Sequence, residues 1–374
     1  MAIPPKALIT STLLSPRSIK SLSAVDWDLL IRQGRRSNLL ARLAYVLDAS
    51  DLLSGVPQAP RNHLDSALKI ADRQAIAVRW EVECIVDALC NAEVKVTLLK
   101  GAAYRMAGLD AANGRTFSDV DIIVPKDRLD ATEVGLMVHG WQASHHDAYD
   151  QRYYRQWMHE IPPLVHNTRD TTIDVHHSIL PETARVKVNI AAVLDAVVPL
   201  PGHENLHVLQ PIDMLLHSAT HLFHEGELEN GLRDLFDLHA LIREFSAADG
   251  GFWDQLVPRA QTLGLTRPLY YALRYTRLML DLQVPQHVRD AADIGRPSPF
   301  VLALMDSCYL RALQPMHPST NSSSTRIARF ALYVRSHWIR MPVHLLAYHL
   351  TRKYFTPANP QNEETPIADA DRKA

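Results

Sequence analysis

The sequence has few cysteines and no long uncharged apolar run. Its 374 residues contain three cysteines, Cys84, Cys90 and Cys308, without C-x-x-C spacing, so neither a disulfide framework nor a cysteine metal site is expected. No stretch of about 18 residues is both apolar and uncharged, so no membrane-spanning helix is expected. The N-terminal stretch is broken by Pro and Ser and lacks the apolar core of a secretory signal. These absences favour a cytoplasmic location.

The sequence also lacks a large net charge. It carries 39 Lys and Arg against 41 Asp and Glu, a net charge of -2, so the overall field favours neither nucleic acid nor an acidic partner. Apolar residues make up 47% and charged residues 21%, which is typical of a folded globular chain. We therefore do not expect nucleic acid as a partner.

The hydrophobic pattern changes twice along the chain. Helical periodicity runs from Val25 to Cys90, β-branched strand patterns follow from Val94, and helical periodicity returns after Leu180. This order predicts an α+β protein with a small α/β unit between helical N- and C-terminal regions. The predicted regions are helical 1–92, an α/β core 93–180, helical 181–314, an exposed linker 315–325, a basic amphipathic helical segment 326–355 and a disordered tail 356–374.

Acidic residues interrupt two of the predicted strands. Side chains alternate along a strand, so Asp119 and Asp121 share one face while Val120 and Ile122 face the other way. Asp174 lies in a second apolar run and would join them if the two strands were neighbours. Three carboxylate oxygens suit Mg²⁺, and clustering them without a cation would be costly. The alternative is an edge strand that exposes two acids to solvent.

A strand, a glycine turn and a helix precede the acidic strand. The run from Leu98 to Ala102 includes Lys100-Gly101, and a helix N-terminus after such a turn can receive phosphate. The sequence therefore contains a candidate phosphate site before its candidate metal site.

Taken in order, these residues resemble the nucleotidyltransferase superfamily that includes DNA polymerase β. Within it, they are similar to a bacterial group with an L-K-G…R…S-D-[IV]-D signature. The matching residues are Lys100-Gly101, Arg115, Ser118-Asp119-Val120-Asp121, Ile173-Asp174-Val175-His176 and, later, Arg233-Asp234-Leu235-Phe236-Asp237. The resemblance implies a nucleotidyltransferase-type mixed sheet.

The resemblance also implies a two-metal transfer of a nucleoside monophosphate from an NTP to a hydroxyl, with Mg²⁺ or Mn²⁺ as cofactor. The acceptor, a small molecule, a glycan or a protein, is left open. Asp119, Asp121 and Asp174 would be catalytic and would bind the metal. The implied nucleotide-binding residues are Lys100, Gly101, Arg115 and Ser118. Lys100 could instead form a structural ion pair, and Arg115 could be solvated.

Several histidines lie near these motifs. His217, His221 and His224 follow helical spacing and can share one face. That face could line the pocket, mainly through His217 and His221, or bind a transition metal. His176 shares the face of Asp174 and could contact substrate or be structural.

The basic segment 326–355 mixes arginines with aromatic residues. It could make peripheral contact with an anionic membrane, or pack on the body with its arginines solvated. Two other functions also remain open. A non-catalytic nucleotide-binding or regulatory protein is suggested by Ala102, which stands where the superfamily usually has Gly or Ser. A metal phosphohydrolase could use His217, His221 and Asp residues.

Overall fold

Helical regions precede and follow one mixed sheet. The computed structural model describes residues 5–92, 94–143, 157–203, 205–224, 226 and 228–342. The helices are α1 (Leu8–Leu14), α2 (Ala24–Arg36), α3 (Leu40–Ala49), α4 (Gln58–Leu89), α5 (Lys100–Met106), α6 (Leu129–Val138), α7 (Ile190–Leu194), α8 (Pro211–His224), α9 (Gly231–Ala248), α10 (Phe252–Leu263), α11 (Thr266–Leu280), α12 (Gln286–Ala292), α13 (Pro299–Ala312) and α14 (Ser323–Arg340). The strands are β1 (Val96–Leu98), β2 (Asp119–Ile123), β3 (Trp141–Ala143), β4 (Leu164–His166), β5 (Thr172–His176), β6 (Val198–Pro199) and β7 (Leu206–Val208).

The strands form one sheet in the order β3-β4-β5-β2-β1-β7-β6. β2 is parallel to β5 and antiparallel to β1, and β1 is parallel to β7. The expected α+β class with a mixed sheet and flanking helices is confirmed. The sheet extends beyond 93–180, because β6 and β7 lie in the region 181–314 where only helices were expected. With two and three residues, these strands are too short to display an alternating pattern.

The N-terminal helices form from the predicted amphipathic stretches. Ser23 and Asp26 form a capping box at the start of α2, which satisfies free main-chain N–H groups of the first turn. Asn38, with φ of 52°, ends the helical path between α2 and α3. The long helix α4 then packs against α5, α6 and β2, which supports the sheet from the N-terminal side.

The C-terminal helices pack around α8, which contacts α9, α10 and α11. Phe223 of α8 lies at the centre of a buried aromatic cluster, with ring centroids 5.2–5.7 Å from those of Tyr271, Tyr275 and Tyr309. Within the part of the chain that the structure describes, no helix has the length and apolar character needed to cross a bilayer.

The predicted linker 315–325 is irregular up to the start of α14 but is not exposed throughout. Pro315 is buried, and Gln33 Nε2 donates to Ser319 Oγ (2.9 Å). The segment therefore packs against α2. Of the predicted basic segment, residues 343–355 lie outside the described residues, as does the predicted tail 356–374.

Helix α14 packs on the body through part of its surface. Three of its arginines donate hydrogen bonds to main-chain carbonyls of the body: Arg329 to Ala312 O and Gln314 O, Arg335 to Phe223 O, and Arg340 to His224 O. Large apolar side chains are exposed along the helix: Ile327, Phe330, Val334 and Trp338. Packing on the body is thus observed, but with three arginines bonded rather than solvated, and membrane contact through 326–355 stays a prediction.

Candidate active site

The parallel pairing of β2 and β5 brings two carboxylates together. Asp121 lies directly opposite Asp174 in the register, so both side chains point to the same face of the sheet. Asp119 lies two residues earlier on β2 and shares that face. Asp119 is exposed, Asp174 is half-buried and Asp121 is 5% exposed. The three predicted carboxylates therefore form a row that runs from the surface into the protein.

Two basic side chains neutralise Asp121. Lys100 Nζ donates to Asp121 Oδ1 (3.0 Å), and His176 Nε2 lies 3.1 Å from the same oxygen. Burial by itself would raise the pKa of Asp121, but Lys100 and His176 hold the pKa well below its usual value. The structural ion pair considered for Lys100 is therefore present, and it lies inside the candidate metal site.

Asp174 is less well compensated, because the charge of His176 lowers its pKa by less than burial raises it. Its Oδ1 is buried and has no hydrogen-bond partner among the described residues. Burial, followed by the neighbouring Asp121 carboxylate, raises the pKa of Asp174 to about 7. Metal-free protein thus holds one stabilised and one destabilised carboxylate side by side, which is the charge pattern expected of a cation site.

Glu160 also reaches this cluster and was not singled out from the sequence. It forms an isolated antiparallel bridge with His176, and its Oε2 lies 3.3 Å from His176 Nδ1. Burial would lower the pKa of His176, but the hydrogen bond to Asp121 and the charge of Glu160 raise it. Glu160 could have been found by pairing the predicted strand that contains it with the one that contains His176.

Arg115 lies in a buried ion pair with Asp237. Arg115 Nε donates to Asp237 Oδ2 (3.0 Å), and Arg42 Nη2 donates to Asp237 Oδ1 (2.6 Å). Burial would raise the pKa of Asp237, but Arg42 and Arg115 lower it. A Cβ atom at Gly101 would lie 2.1 Å from Arg115 Nη1, so the glycine leaves the space that this guanidinium fills. No pattern in the sequence singles out Arg42, whereas Asp237 is part of the family resemblance.

Ser118 lies at the exposed end of the row. Its Oγ donates to Asp119 Oδ1 (2.9 Å), which orients this carboxylate at the surface. Ser118 and Asp119 are both exposed and are therefore the members of the motif that a ligand from solvent reaches first.

The histidines of α8 approach the same face of the sheet. His217 and His221 line a cavity of about 20 Å³ together with Lys100 and His176, which is room for roughly one water molecule. Burial, and then the nearby Lys100, hold the pKa of His217 well below its usual value, so this imidazole is neutral. The structure thus brings all three candidate pocket histidines to one cavity. Arg340 of α14 also lines it.

Comparison with known protein families is decisive for the class of protein. A family model described as uncharacterised nucleotidyltransferase matches residues 23–281, which is more than half of the chain. The chain belongs to this nucleotidyltransferase family. Comparison with curated proteins and with solved structures gave no match. Helices α12, α13 and α14 of this nucleotidyltransferase, and with them Arg340, lie outside the matched residues 23–281.

The donor atoms of the nucleotidyltransferase fit a hard divalent cation at the carboxylates. Both hydrogen bonds of Asp121 use Oδ1, and the buried Oδ1 of Asp174 has no partner within the described ranges. Oxygen donors of this kind suit Mg²⁺ or Mn²⁺. Among the described residues, the His, Cys, Asp and Glu groups whose ligand atoms lie within 4.8 Å of one another are His159, Glu160 and His176. Neither the three histidines of α8 nor the three carboxylates approach one another this closely in this conformation.

Proposed function

We propose that this nucleotidyltransferase transfers a nucleoside monophosphate from an NTP to a hydroxyl of an acceptor, with Mg²⁺ or Mn²⁺ held by Asp119, Asp121 and Asp174. The single observation that carries the proposal is the pairing of Asp121 with Asp174 on neighbouring parallel strands, where Asp174 is left with an uncompensated buried oxygen. A carboxylate pair of this kind is unfavourable unless it binds a cation.

The metal site defines the chemistry. Two bound Mg²⁺ ions would stabilise negative charge on the attacking and leaving oxygens during the in-line displacement. Asp121 and Asp174 would hold the ions from within the protein, and the exposed Asp119 would complete the site at the surface. The acceptor hydroxyl must therefore approach from the side of Asp119.

We assign the phosphate contacts to the turn between β1 and α5. The main-chain N–H of Gly101 lies in the first turn of α5, where such groups have no partner inside the helix. Lys100 Nζ lies 3.0 Å from Asp121 Oδ1 and supplies positive charge next to the metal ligands. Ser118 adds an exposed hydroxyl.

Arg115 is better suited to positioning than to direct phosphate binding. Its side chain is 9% exposed and bonded to Asp237, and it fills the space beside Gly101. Direct contact between Arg115 and phosphate, the role expected from the family resemblance, would require this buried pair to open. We therefore propose that Arg115 supports the turn at Gly101.

The histidine-lined cavity does not hold the nucleotide in this conformation. Its volume of about 20 Å³ is far below the several hundred Å³ of typical ligand pockets. We propose that His176, His217 and His221 support the metal ligands from behind, and that the NTP and acceptor bind at the exposed end of the carboxylate row. A small molecule, a glycan or a protein could supply the acceptor hydroxyl.

The test is calorimetric titration of each NTP with Mg²⁺ and with EDTA. We expect wild type to bind one NTP only with Mg²⁺, and the Asp119→Asn/Asp121→Asn double variant to lose this binding. Asp130→Asn, an exposed acid of α6, is the matched control and should bind like wild type. Circular dichroism checks that each variant is folded.

Metal-independent binding, or binding retained by the folded double variant, would contradict the proposal. The first outcome would favour a non-catalytic nucleotide-binding protein. If Mg²⁺-dependent binding is found, release of pyrophosphate on addition of candidate acceptors identifies the transfer reaction and the acceptor class.

A further inference from the structure

Two histidines and a glutamate form a cluster next to the catalytic carboxylates. His159, Glu160 and His176 each offer one ligand atom, and these atoms all lie within 4.8 Å of one another. The main chain holds the cluster in place, since Glu160 bridges His176 and His177 N donates to His159 O (2.8 Å). The three side chains are therefore brought together by strand pairing and not by a flexible loop.

The donor set differs from that of the carboxylate row. Glu160 Oε2 lies 3.3 Å from His176 Nδ1, and the rings of His159 and His176 have centroids 5.3 Å apart. His176 is buried and the other two are half-buried. Two imidazoles with one carboxylate are typical ligands of zinc and related transition metals, whereas Mg²⁺ prefers oxygen ligands.

A small cavity adjoins the two histidines of the cluster. His159 and His176 both line the cavity of about 20 Å³, which can hold roughly one water molecule. Three protein ligands and a water complete a four-coordinate site.

We propose that His159, Glu160 and His176 bind a divalent transition-metal ion of the zinc class, at a site separate from the carboxylate site. His176 binds the ion through Nδ1, while its Nε2 keeps the 3.1 Å contact with Asp121 Oδ1. A carboxylate bonded to the second nitrogen of a metal-bound imidazole fixes the orientation of the ring. The ion would thus hold His176 in the position that supports Asp121. The site goes beyond the proposed function and does not depend on it.

The test is a titration of metal-free full-length protein with Co²⁺ alone, a coloured substitute for Zn²⁺, in excess Mg²⁺ and without nucleotide. Excess Mg²⁺ competes at the carboxylate row but not at an imidazole site. We expect one equivalent of Co²⁺ to bind and to give visible absorption bands. His159→Ala, and independently the size-conserving Glu160→Gln, should raise the Kd for Co²⁺ by more than about 100-fold, the upper end of what losing an outer partner costs.

Two variants control for the location of the ion. Asp119→Asn alters the carboxylate row, and His139→Ala removes an exposed histidine of α6; neither should change Co²⁺ binding. The proposal is overturned if wild type binds no Co²⁺, if folded His159→Ala and Glu160→Gln bind it like wild type, or if Asp119→Asn abolishes binding. None of these results bears on Mg²⁺-dependent NTP binding, so failure here and failure of the proposed function are distinguishable.

Discussion

At the scale of single residues, Asp174 combines a stability cost with a proposed functional role. Its pKa of about 7 lies above the ordinary value of an aspartate. Between about pH 4 and pH 7 the folded state therefore binds more protons than the unfolded state, so the free energy of unfolding of metal-free protein falls as pH rises through this window. An acid at this position therefore costs the metal-free protein stability, and a bound cation would offset that cost.

We predict that Asp174→Asn stabilises the metal-free protein at high pH, because the variant side chain cannot ionise. In EDTA at pH 8 the free energy of unfolding of the variant should exceed that of wild type by on the order of 2 kcal/mol. This difference should disappear near pH 4. Urea unfolding at several pH values measures this. Asp130→Asn should show no pH-dependent gain, and a wild type as stable as Asp174→Asn at pH 8 would disprove the explanation.

Gly101 is the second residue with a specific steric role. Gly101→Ala would place a Cβ atom 2.1 Å from Arg115 Nη1 and push the guanidinium away from Asp237. We expect the free energy of unfolding, measured in urea, to fall by about 1–3 kcal/mol, as it does at other overpacked sites. Gly55→Ala is the control, because a Cβ atom there meets nothing within 4 Å. Equal stability of the two variants would mean that Arg115 moves aside freely.

At the scale of secondary-structure elements, Asp237 joins parts of the chain that are distant in sequence. It lies on α9 and binds Arg42 of α3 and Arg115, which precedes β2. The N-terminal helices, the sheet and the C-terminal helices therefore meet at one buried carboxylate. A residue far in sequence from the D-x-D strand is thereby linked to the residue that precedes that strand.

We predict that Asp237→Asn lowers the free energy of unfolding by about 3–5 kcal/mol, because two buried guanidinium groups lose their counter-charge. Asp254→Asn is the control. The Asp254 side chain is 79% exposed and lies 3.5 Å from His287 Nε2, so its substitution should cost less than about 1 kcal/mol. Urea unfolding measures the free energy of unfolding of both variants. Similar decreases would show that Asp237 does not connect the three regions.

The arginines of α14 differ in their partners, which provides a test of how the helix docks. Arg335 donates to Phe223 O (2.9 Å) and to Tyr309 Oη (3.1 Å), whereas Arg326 is exposed. Arg335→Ala should lower the free energy of unfolding by about 1.5–3 kcal/mol, which is the usual contribution of a hydrogen bond made by a charged group. Arg326→Ala should change the midpoint of thermal unfolding little. The reverse order of effects would contradict the observed docking.

At the scale of the whole molecule, one continuous core connects the predicted regions. The buried cluster extends from Ala7 to Leu332, and β7, which follows the predicted core, pairs with β1. We therefore predict that urea unfolds the protein in a single transition. Far-UV circular dichroism and tryptophan fluorescence should have the same midpoint, since Trp27, Trp141 and Trp253 report on α2, β3 and α10. An early fluorescence change would instead indicate separately folding regions.

The amino-acid sequence alone is enough to predict the α+β class, the shared face of Asp119 and Asp121 and the family resemblance. These follow from the alternation of side chains within one strand and from the order of motifs, which are local properties of the chain. It also suggested that Asp174 would join them, because a lone acid in an apolar strand needs a partner.

The groups that complete the site are set by tertiary packing. Glu160, Arg42 and the cavity wall formed by α8 and Arg340 come from distant parts of the sequence. Their positions depend on strand register and helix packing, which minimise the free energy of the whole core and leave no periodic signal in any one segment. For the same reason, the sequence does not show the partner of Arg115, because it is the packing of α9 that places Asp237 beside this side chain.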